Sequence, residues 1–139
     1  MLIRSFAEAD TDAVVQLWED CGLTRPWNDP RKDIARKLEV QRDLFLVLEE
    51  DARIAGSAMV GFDGHRGWVY YLAVHPGFRG RGFGRALMQR AEQLLLELGC
   101  PKFNLQVRVG NEAVLAFYRS LGYVEDPVAS MSKRLIPDD

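Results

Sequence analysis

The sequence predicts an α+β fold in which a mainly antiparallel, mixed sheet of about six to seven strands is covered by about four helices. Segments with strand periodicity and segments with helical periodicity follow one another along the chain. Glycine and proline fall between these segments, and no repeat, low-complexity stretch or polar linker divides the chain. Because 139 residues is an ordinary length for one domain, we predict a single domain over residues 1–139.

The N-terminal elements are a strand at residues 2–5 and a helix whose apolar residues recur at helical spacing as far as about Cys21. Gly22 ends this helix. The tripeptide 28–30, Asn-Asp-Pro, then supplies a cap and a proline at the first helical position. We predict a second helix there, with Ile34, Ala35 and Leu38 facing inward and a basic face in solvent.

The centre of the chain predicts an antiparallel meander of strands at 44–48, 54–62 and 68–75, with turns at 49–52 and 63–67. A long helix follows from about residue 82 to residue 98, with Gly99 as its stop and Pro101 just beyond. A strand at 103–109, a short helix that Asn111 caps and a closing strand at 128–135 complete the predicted order of elements.

Composition excludes several classes of function. The formal net charge of -2 argues against a domain that binds nucleic acid through its phosphates. The two isolated cysteines, Cys21 and Cys100, form no CxxC pair, so we predict neither a disulfide nor a metal site. No window approaches the length of a membrane span, and the N-terminus does not resemble a signal peptide, so we expect a cytoplasmic protein that binds no membrane.

Residues 74–84, VHPGFRGRGFG, lead from a predicted strand into the long helix through four glycines. Glycine permits positive φ and a close backbone approach, and the free N–H groups of a helix N-terminus favour a phosphate. The loop lacks the Lys-Ser/Thr of a Walker A motif. It also lacks a third glycine at the spacing of a dinucleotide fingerprint, because Arg85 stands there.

The segment 79–84, RGRGFG, resembles the R/Q-x-x-G-x-G/A motif by which GNAT acetyltransferases hold the pyrophosphate of coenzyme A. The order of elements over essentially the whole chain is also similar to a GNAT domain, whose central strands splay apart. The resemblance implies acetyl-CoA as cosubstrate, with backbone groups near Leu72 and Val74 pairing with the pantetheine arm. The implied acetyl-CoA-binding residues are Leu72, Ala73, Val74, Arg79, Gly80, Arg81, Gly82, Phe83, Gly84, Arg85, Asn111 and Tyr118.

A second segment, residues 111–123, resembles the family pattern N-x-x-A-x-x-x-Y-x-x-x-G-F/Y, with the alanine displaced by one position. Asn111 and Tyr118 are seven residues apart and therefore lie on one side of the predicted helix. A departing thiolate needs a proton, and a phenol can donate one. We predict that Tyr118 is the general acid.

The general base is less evident, because many relatives carry a glutamate in the strand before the loop and residues 68–74 here contain no carboxylate. Tyr70 and Tyr71 are candidate catalytic residues that could relay a proton, as could His65 or His75. Each histidine lies beside glycine or proline at a strand end, which is more typical of a surface turn. Binding of the neutral form of the amine is a further alternative.

The segment 23–30, LTRPWNDP, lies between the first two helices, where GNAT proteins often border the acceptor. Together with residues 62–67 it resembles the YpeA group of bacterial GNAT proteins. We predict that Trp27, Asn28, Asp29, Asp63 and His65 shape acceptor choice. An aromatic face and a carboxylate suit a cationic amine, although the same residues are equally typical of a packed ring and a helix cap.

The leading hypothesis is transfer of an acetyl group from acetyl-CoA to a primary amine, either a peptide N-terminus or a small molecule. The alternatives are a GNAT-fold module that binds acyl-CoA without turnover, and a nucleotide-binding regulator, which the charge and missing motifs disfavour. The sequence leaves open whether the chain forms a homodimer and which amine it uses.

Overall fold

Five strands form one sheet in the computed structural model, which describes all 139 residues. They are β1 (Leu2–Ser5), β2 (Phe45–Glu50), β3 (Arg53–Phe62), β4 (Gly67–Val74) and β5 (Phe103–Asn104). The strands lie in the order β1-β2-β3-β4-β5; the first four are antiparallel, and β5 is parallel to β4. The predicted α+β class with a mixed, mainly antiparallel sheet is therefore confirmed.

Four helices cover this sheet: α1 (Thr11–Asp20), α2 (Pro30–Leu38), α3 (Phe83–Glu97) and α4 (Glu112–Ser120). The side chain of Asp29 caps α2 by accepting the backbone N–H groups of Arg31 and Lys32 at 2.9 and 3.4 Å. Gly99, with φ of +80°, follows the end of α3 in the left-handed conformation expected of a helix stop. Of the predicted inward residues of α2, Ile34 is buried and Ala35 is exposed. None of the helices combines the length and apolar character needed to cross a bilayer.

The helices pack on both faces of the sheet and create two apolar clusters. On one face, Leu87 and Met88 of α3 pack with Leu48 and Val60 of the sheet. On the other face, Val14 and Trp18 of α1 pack with Phe45 and Val47 of β2, together with Ile34 of α2. Residues of β2 alternate between the two clusters, as a strand buried on both faces requires.

The predicted strand count is too high. Only Phe103 and Asn104 of the expected strand at 103–109 pair with β4, and residues 128–135 form no strand. Because β5 ends at Asn104, it offers no continuing edge to which a further strand could hydrogen-bond. The alternating pattern at 128–135 therefore lies in the open, where Met131 is 92% exposed and Leu135 84%.

The C-terminal tail is nevertheless anchored against α2. The carboxylate of Asp138 accepts the backbone N–H of Asp29 at 2.7 Å and Nη2 of Arg36 at 2.6 Å, and the Asp138 carbonyl accepts Nζ of Lys32 at 2.7 Å. The Asp138 side chain is 4% exposed. At the other end of the tail, Gln106 donates to Ser130 at 2.5 Å. The tail therefore crosses from the β5 side of the molecule to α2.

Candidate functional site

Strand β4 is interrupted at its centre by a bulge. Two of its residues, Tyr71 and Leu72, lie opposite the single residue Ala58 of β3. Tyr71 has φ of +52°, a left-handed conformation that a bulky residue seldom adopts. A bulge of this kind re-aims the backbone groups of a strand and is common beside functional sites.

A buried hydrogen-bond relay fixes the bulge. Trp18 donates from Nε1 to Oγ of Ser57 at 2.9 Å, and Ser57 donates in turn to the carbonyl of Tyr71 at 2.7 Å. The ring of Tyr71 stacks on Trp18 with the centroids 3.7 Å apart. Ser57 is fully buried, and this relay provides a donor and an acceptor for its hydroxyl.

The edge of β4 that faces β5 is open over most of its length. Only Gly67 and Trp68 pair with β5, so residues 69–74 have no strand partner on that side. Beyond Asn104 the chain diverges and leaves a gap between the two strands. This is the splay of the central strands that the resemblance to a GNAT domain implies.

The glycine-rich loop lies at the C-terminal end of β4. Gly80 and Gly82 adopt φ of +81° and +78°, and no atom lies within 4 Å of the place where a Cβ would stand on either residue. Gly82 is the N-cap of α3 and provides no side-chain hydrogen bond. No side chain caps the first N–H groups of α3, and open space lies beside the two glycines; an uncapped helix start of this kind can bind an anion.

The neighbouring motif residues divide between the loop and the core. The side chain of Phe83 is buried and belongs to the core, so only its backbone can reach a ligand. A Cβ on Gly84 would lie 3.1 Å from Cζ of Phe117, so this glycine lets α3 approach α4 closely. Arg81 stacks over the ring of Phe78 at 5.0 Å. The predicted cradle residues Arg79 and Arg85 are exposed.

A cavity of about 1270 Å³, which we call the cleft, is lined by residues of α2 and α4 and by the part of β4 that β5 does not pair with. Its walls come from the α1–α2 loop, from α2, from the end of β3, from residues 68–72 of β4, from residues 106–109, from α4 and from the C-terminal tail at residues 130 and 132. Segments distant in sequence meet here because the gap between β4 and β5 opens into the same space.

Tyr118 and Asn111 both line the cleft, as their helical spacing predicts. Asn111 caps α4 by accepting the N–H of Val114 at 3.4 Å. Tyr118 is 9% exposed, and its ring packs edge-on against Phe117 and Tyr123. Burial raises the pKa of Tyr118 to about 12, so the phenol is protonated at neutral pH. Its hydroxyl makes no hydrogen bond within the protein and is not sealed from the cleft.

The two tyrosines of β4 also line the cleft, in different environments. Tyr70 is half-exposed and stacks on Trp68, and burial of its ring raises the pKa of its phenol. Tyr71 donates its hydroxyl to Oδ2 of Asp33 at 2.7 Å. Burial and this carboxylate hold the pKa of Tyr71 well above its usual value. His75 lies outside the cleft, beside Asp20.

Of the residues predicted to shape acceptor choice, three line the cleft and two do not. Trp27, Asn28 and Asp63 line it, whereas Asp29 lies at the start of α2 and His65 at the exposed tip of the β3–β4 turn. The Asp63 carboxylate accepts hydrogen bonds from the backbone N–H groups of Arg66 and His65. These two hydrogen bonds lower the pKa of Asp63. The carboxylates of Asp29 and Asp63 are thus engaged in local backbone hydrogen bonds.

The sequence-based reading missed the part of the cleft formed by α2. Asp33 and Lys37 line the cleft, as does Gln41 just beyond the helix, although the basic face of α2 is predicted to face solvent. A signal was present: Lys37 follows the buried Ile34 by three residues, and positions i and i+3 lie on one side of a helix.

Comparisons with known proteins bear on the family and the fold. Residues 11–123 match the model of the acetyltransferase (GNAT) family. An acetyltransferase of Pectobacterium atrosepticum is 53% identical over 138 residues, which cover 99% of this chain and 98% of that protein. The crystal structure of a ribosomal-protein-alanine N-acetyltransferase from Brucella melitensis is similar, with a TM-score of 0.72 and 28% identity over 88% of this chain and 83% of that one.

An aminoglycoside antibiotic 6'-N-acetyltransferase from Acinetobacter haemolyticus shares the fold, with a TM-score of 0.75, 21% identity and coverage of 98% of this chain and 100% of that one. The names of these two solved proteins designate very different amines. The shared fold therefore does not define the acceptor, which has to be argued from the residues of the cleft.

Proposed function

The chain belongs to the GNAT acetyltransferase family, and on that premise we propose that it transfers an acetyl group from acetyl-CoA to a primary amine by direct attack of the amine on the thioester. The observation that carries this proposal is the combination of three features: the uncapped N-terminus of α3, the unpaired edge of β4, and a cleft lined by Tyr118, whose hydroxyl has no partner in the protein.

The loop residues fit a pyrophosphate. The space above Gly80 and Gly82 is empty of protein atoms, and the first N–H groups of α3 face it. Arg79 and Arg85 are exposed beside this loop and add positive charge. The unpaired edge of β4 offers backbone donors and acceptors for the amide groups of pantetheine. When bound, acetyl-CoA supplies the acetyl group as an activated thioester.

Tyr118 is the proton donor in this proposal. Its buried phenol keeps its proton at neutral pH and has no competing partner in the protein. Asn111, on the same side of α4, lies along the same wall of the cleft. The backbone at the β4 bulge is held rigidly by Ser57, so its amides are preorganised to stabilise negative charge on the carbonyl oxygen.

The hydroxyl of Tyr71 and the carboxylate of Asp33 form the pair that can take a proton from the amine, since Asp33 is the cleft carboxylate not tied to a backbone turn. Tyr70 borders the same space. This arrangement replaces the strand glutamate that the sequence lacks, because the carboxylate comes from α2 instead of from β4.

The test is release of coenzyme A from acetyl-CoA against a panel of amines that includes small amines, peptides with free N-termini and lysine peptides. Turnover with at least one amine, identified as its N-acetyl product by mass spectrometry, supports the proposal. If acetyl-CoA binds but no amine in the panel is acetylated, the alternative of an acyl-CoA-binding module without turnover replaces it.

A further inference from the structure

The negative charges of the cleft are already engaged. Two carboxylates line it, those of Asp33 and Asp63. Asp33 accepts the hydroxyl of Tyr71 at 2.7 Å and pairs with Arg36 at 3.3 Å. Asp63 accepts two backbone N–H groups of its own turn at 2.8 and 2.7 Å. Neither carboxylate is a free counter-charge for a second cation on the acceptor.

The positive charges of the cleft are in excess. Four basic residues line it, namely Arg25, Arg36, Lys37 and Arg108. Arg36 pairs with Asp33 and with Asp138, but the other three form no ion pair. Arg25 donates only to the backbone carbonyls of residues 22 and 24.

Lys37 is a partly buried cation of the cleft. Its Nζ donates to the carbonyl of Val60 at 2.5 Å, and no carboxylate pairs with it. Burial lowers the pKa of Lys37, and the charge of Asp43 offsets this only in part. This ammonium has lost part of its hydration and has only one carbonyl acceptor in its place. An anion that binds beside it therefore stabilises its charge.

Gln41 adds a second donor at the same place. Its Oε1 accepts the backbone N–H of Phe62 at 2.9 Å, so the other atom of the amide must be the NH₂ group, and this group has no partner. Gln41 holds a left-handed backbone conformation, with φ of +52°. A Cβ on Gly61 would lie 3.5 Å from both Oε1 of Gln41 and Nζ of Lys37. The two side chains therefore stand together over the bare backbone of Gly61.

We propose that the acceptor amine carries an anionic group, a carboxylate or a phosphate, which binds to Lys37 and Gln41. This inference rests on the proposed function and narrows its substrate class. Coenzyme A does not account for this site, because the glycine-rich loop lies beyond the opposite end of β4, whose eight residues span roughly 25 Å.

The position of the site also sets the length of the acceptor. Gly61 pairs with Trp68, and Leu72 at the bulge lies four residues farther along β4, about 13 Å for an extended strand. Allowing for the bulge, the amine and the anionic group of the acceptor are on the order of 10 Å apart. Glycine is too short to reach both points.

The experiment compares kcat/KM for matched acceptor pairs at fixed acetyl-CoA. The carboxylate arm uses ω-aminohexanoate and ω-aminooctanoate, each against its amide, and the phosphate arm uses ω-aminohexyl phosphate against ω-aminohexanol. In each long pair the distant group hardly alters the basicity of the amine. We expect the anionic member to be better by roughly 10- to 100-fold in at least one arm, and glycine to have no such advantage over glycinamide.

The matched variants are Lys37→Gln and Arg31→Gln. Lys37→Gln keeps a donor but removes the charge, so the preference for the anionic acceptor should fall at least about tenfold, with the neutral acceptor and the KM for acetyl-CoA unchanged. Arg31, on the same helix but outside the cleft, pairs only with the exposed Asp12 and should tolerate the change. Thermal melting of both variants shows whether they are folded.

The two proposals fail in distinguishable ways. Equal kcat/KM for the anionic and neutral members of every long pair overturns the anionic acceptor and leaves amine acetylation standing. A wild-type protein that acetylates no amine overturns the proposed function. In that case calorimetric binding of the same pairs in the presence of coenzyme A still tests the Lys37 and Gln41 site, and equal affinity for both members overturns it.

Discussion

The two ends of β4 are built on different principles. At its C-terminal end, the loop around Gly80 and Gly82 forms a binding site from backbone groups. Both glycines have positive φ and no side chain, and the first N–H groups of α3 are uncapped. At its N-terminal end, the cleft around Gly61 forms a binding site from side chains, namely those of Lys37 on α2 and of Gln41 just beyond this helix. The backbone site consists of a few contiguous residues, so a local sequence motif identifies it. The side-chain site consists of residues from segments far apart in sequence.

The comparison predicts its largest effect at the backbone end. Gly82→Glu places a negative side chain in the left-handed conformation at the uncapped start of α3. We expect complete loss of the thermal stabilisation by acetyl-CoA, which for the wild type is about 2.7 kcal/mol at a ligand concentration of 100 times Kd. Thermal melting with and without acetyl-CoA measures this.

Gly99→Glu is the matched control, because Gly99 also has positive φ with no atom within 4 Å of a Cβ but follows the other end of α3. It should lower stability through backbone strain and still respond to acetyl-CoA. An equal response of Gly82→Glu and wild type would contradict the assignment of the loop.

The next prediction concerns kcat and Tyr118, which lines the cleft from α4. Tyr118→Phe keeps its buried ring while removing a hydroxyl that has no partner in the protein. We expect kcat to fall by roughly 10²- to 10⁴-fold with little change in acetyl-CoA affinity, as for loss of a general acid. Tyr123→Phe is the control, because the Tyr123 hydroxyl is bound to Glu92 outside the cleft. If kcat is unchanged in Tyr118→Phe, the phenol has only a structural role.

Beneath the bulge, the comparison predicts an effect on stability. Ser57→Ala leaves the indole N–H of Trp18 and the carbonyl of Tyr71 without their buried partner. An unsatisfied buried group of this kind costs about 1–3 kcal/mol in the free energy of unfolding, measured by chemical denaturation. Ser5→Ala breaks an exposed hydrogen bond to the Asp43 carbonyl and should change stability by less than about 0.5 kcal/mol.

The same contrast explains what the sequence could reveal. The first four strands and all four helices follow from local periodicity, caps and glycine stops, and they lie within a few residues of their predicted bounds. Residues 128–135 were wrongly expected to form a strand, since alternation cannot say whether a neighbouring edge is available. The relay from Trp18 to Ser57 joins residues 39 positions apart, and no local pattern reports such a contact.

The site divides in the same way. The loop and the spacing of Asn111 and Tyr118 were recognisable because each lies within one short segment. The many charges of α2 predict that its basic face lies in solvent. The partial burial of Lys37 depends instead on β3, where the carbonyl of Val60 accepts a hydrogen bond from its ammonium. The anionic-acceptor proposal therefore follows from tertiary structure alone.

The smallest effect is expected at Asp29, where sequence-based reasoning predicts a role in acceptor choice. In the fold its carboxylate caps α2 and its N–H binds Asp138, and the residue does not line the cleft. Asparagine caps a helix nearly as well as aspartate, so Asp29→Asn should change stability by a few tenths of a kcal/mol and leave the acceptor KM within about twofold.

Trp27→Ala is the contrasting variant, because the Trp27 ring is 55% exposed and borders the cleft, so its loss should raise the acceptor KM with little cost in stability. Steady-state kinetics on the preferred amine, with melting curves for both variants, decides between them. A large rise in acceptor KM for Asp29→Asn alone would mean that the start of α2 reaches the amine after all, and that the acceptor enters from the side of the C-terminal tail.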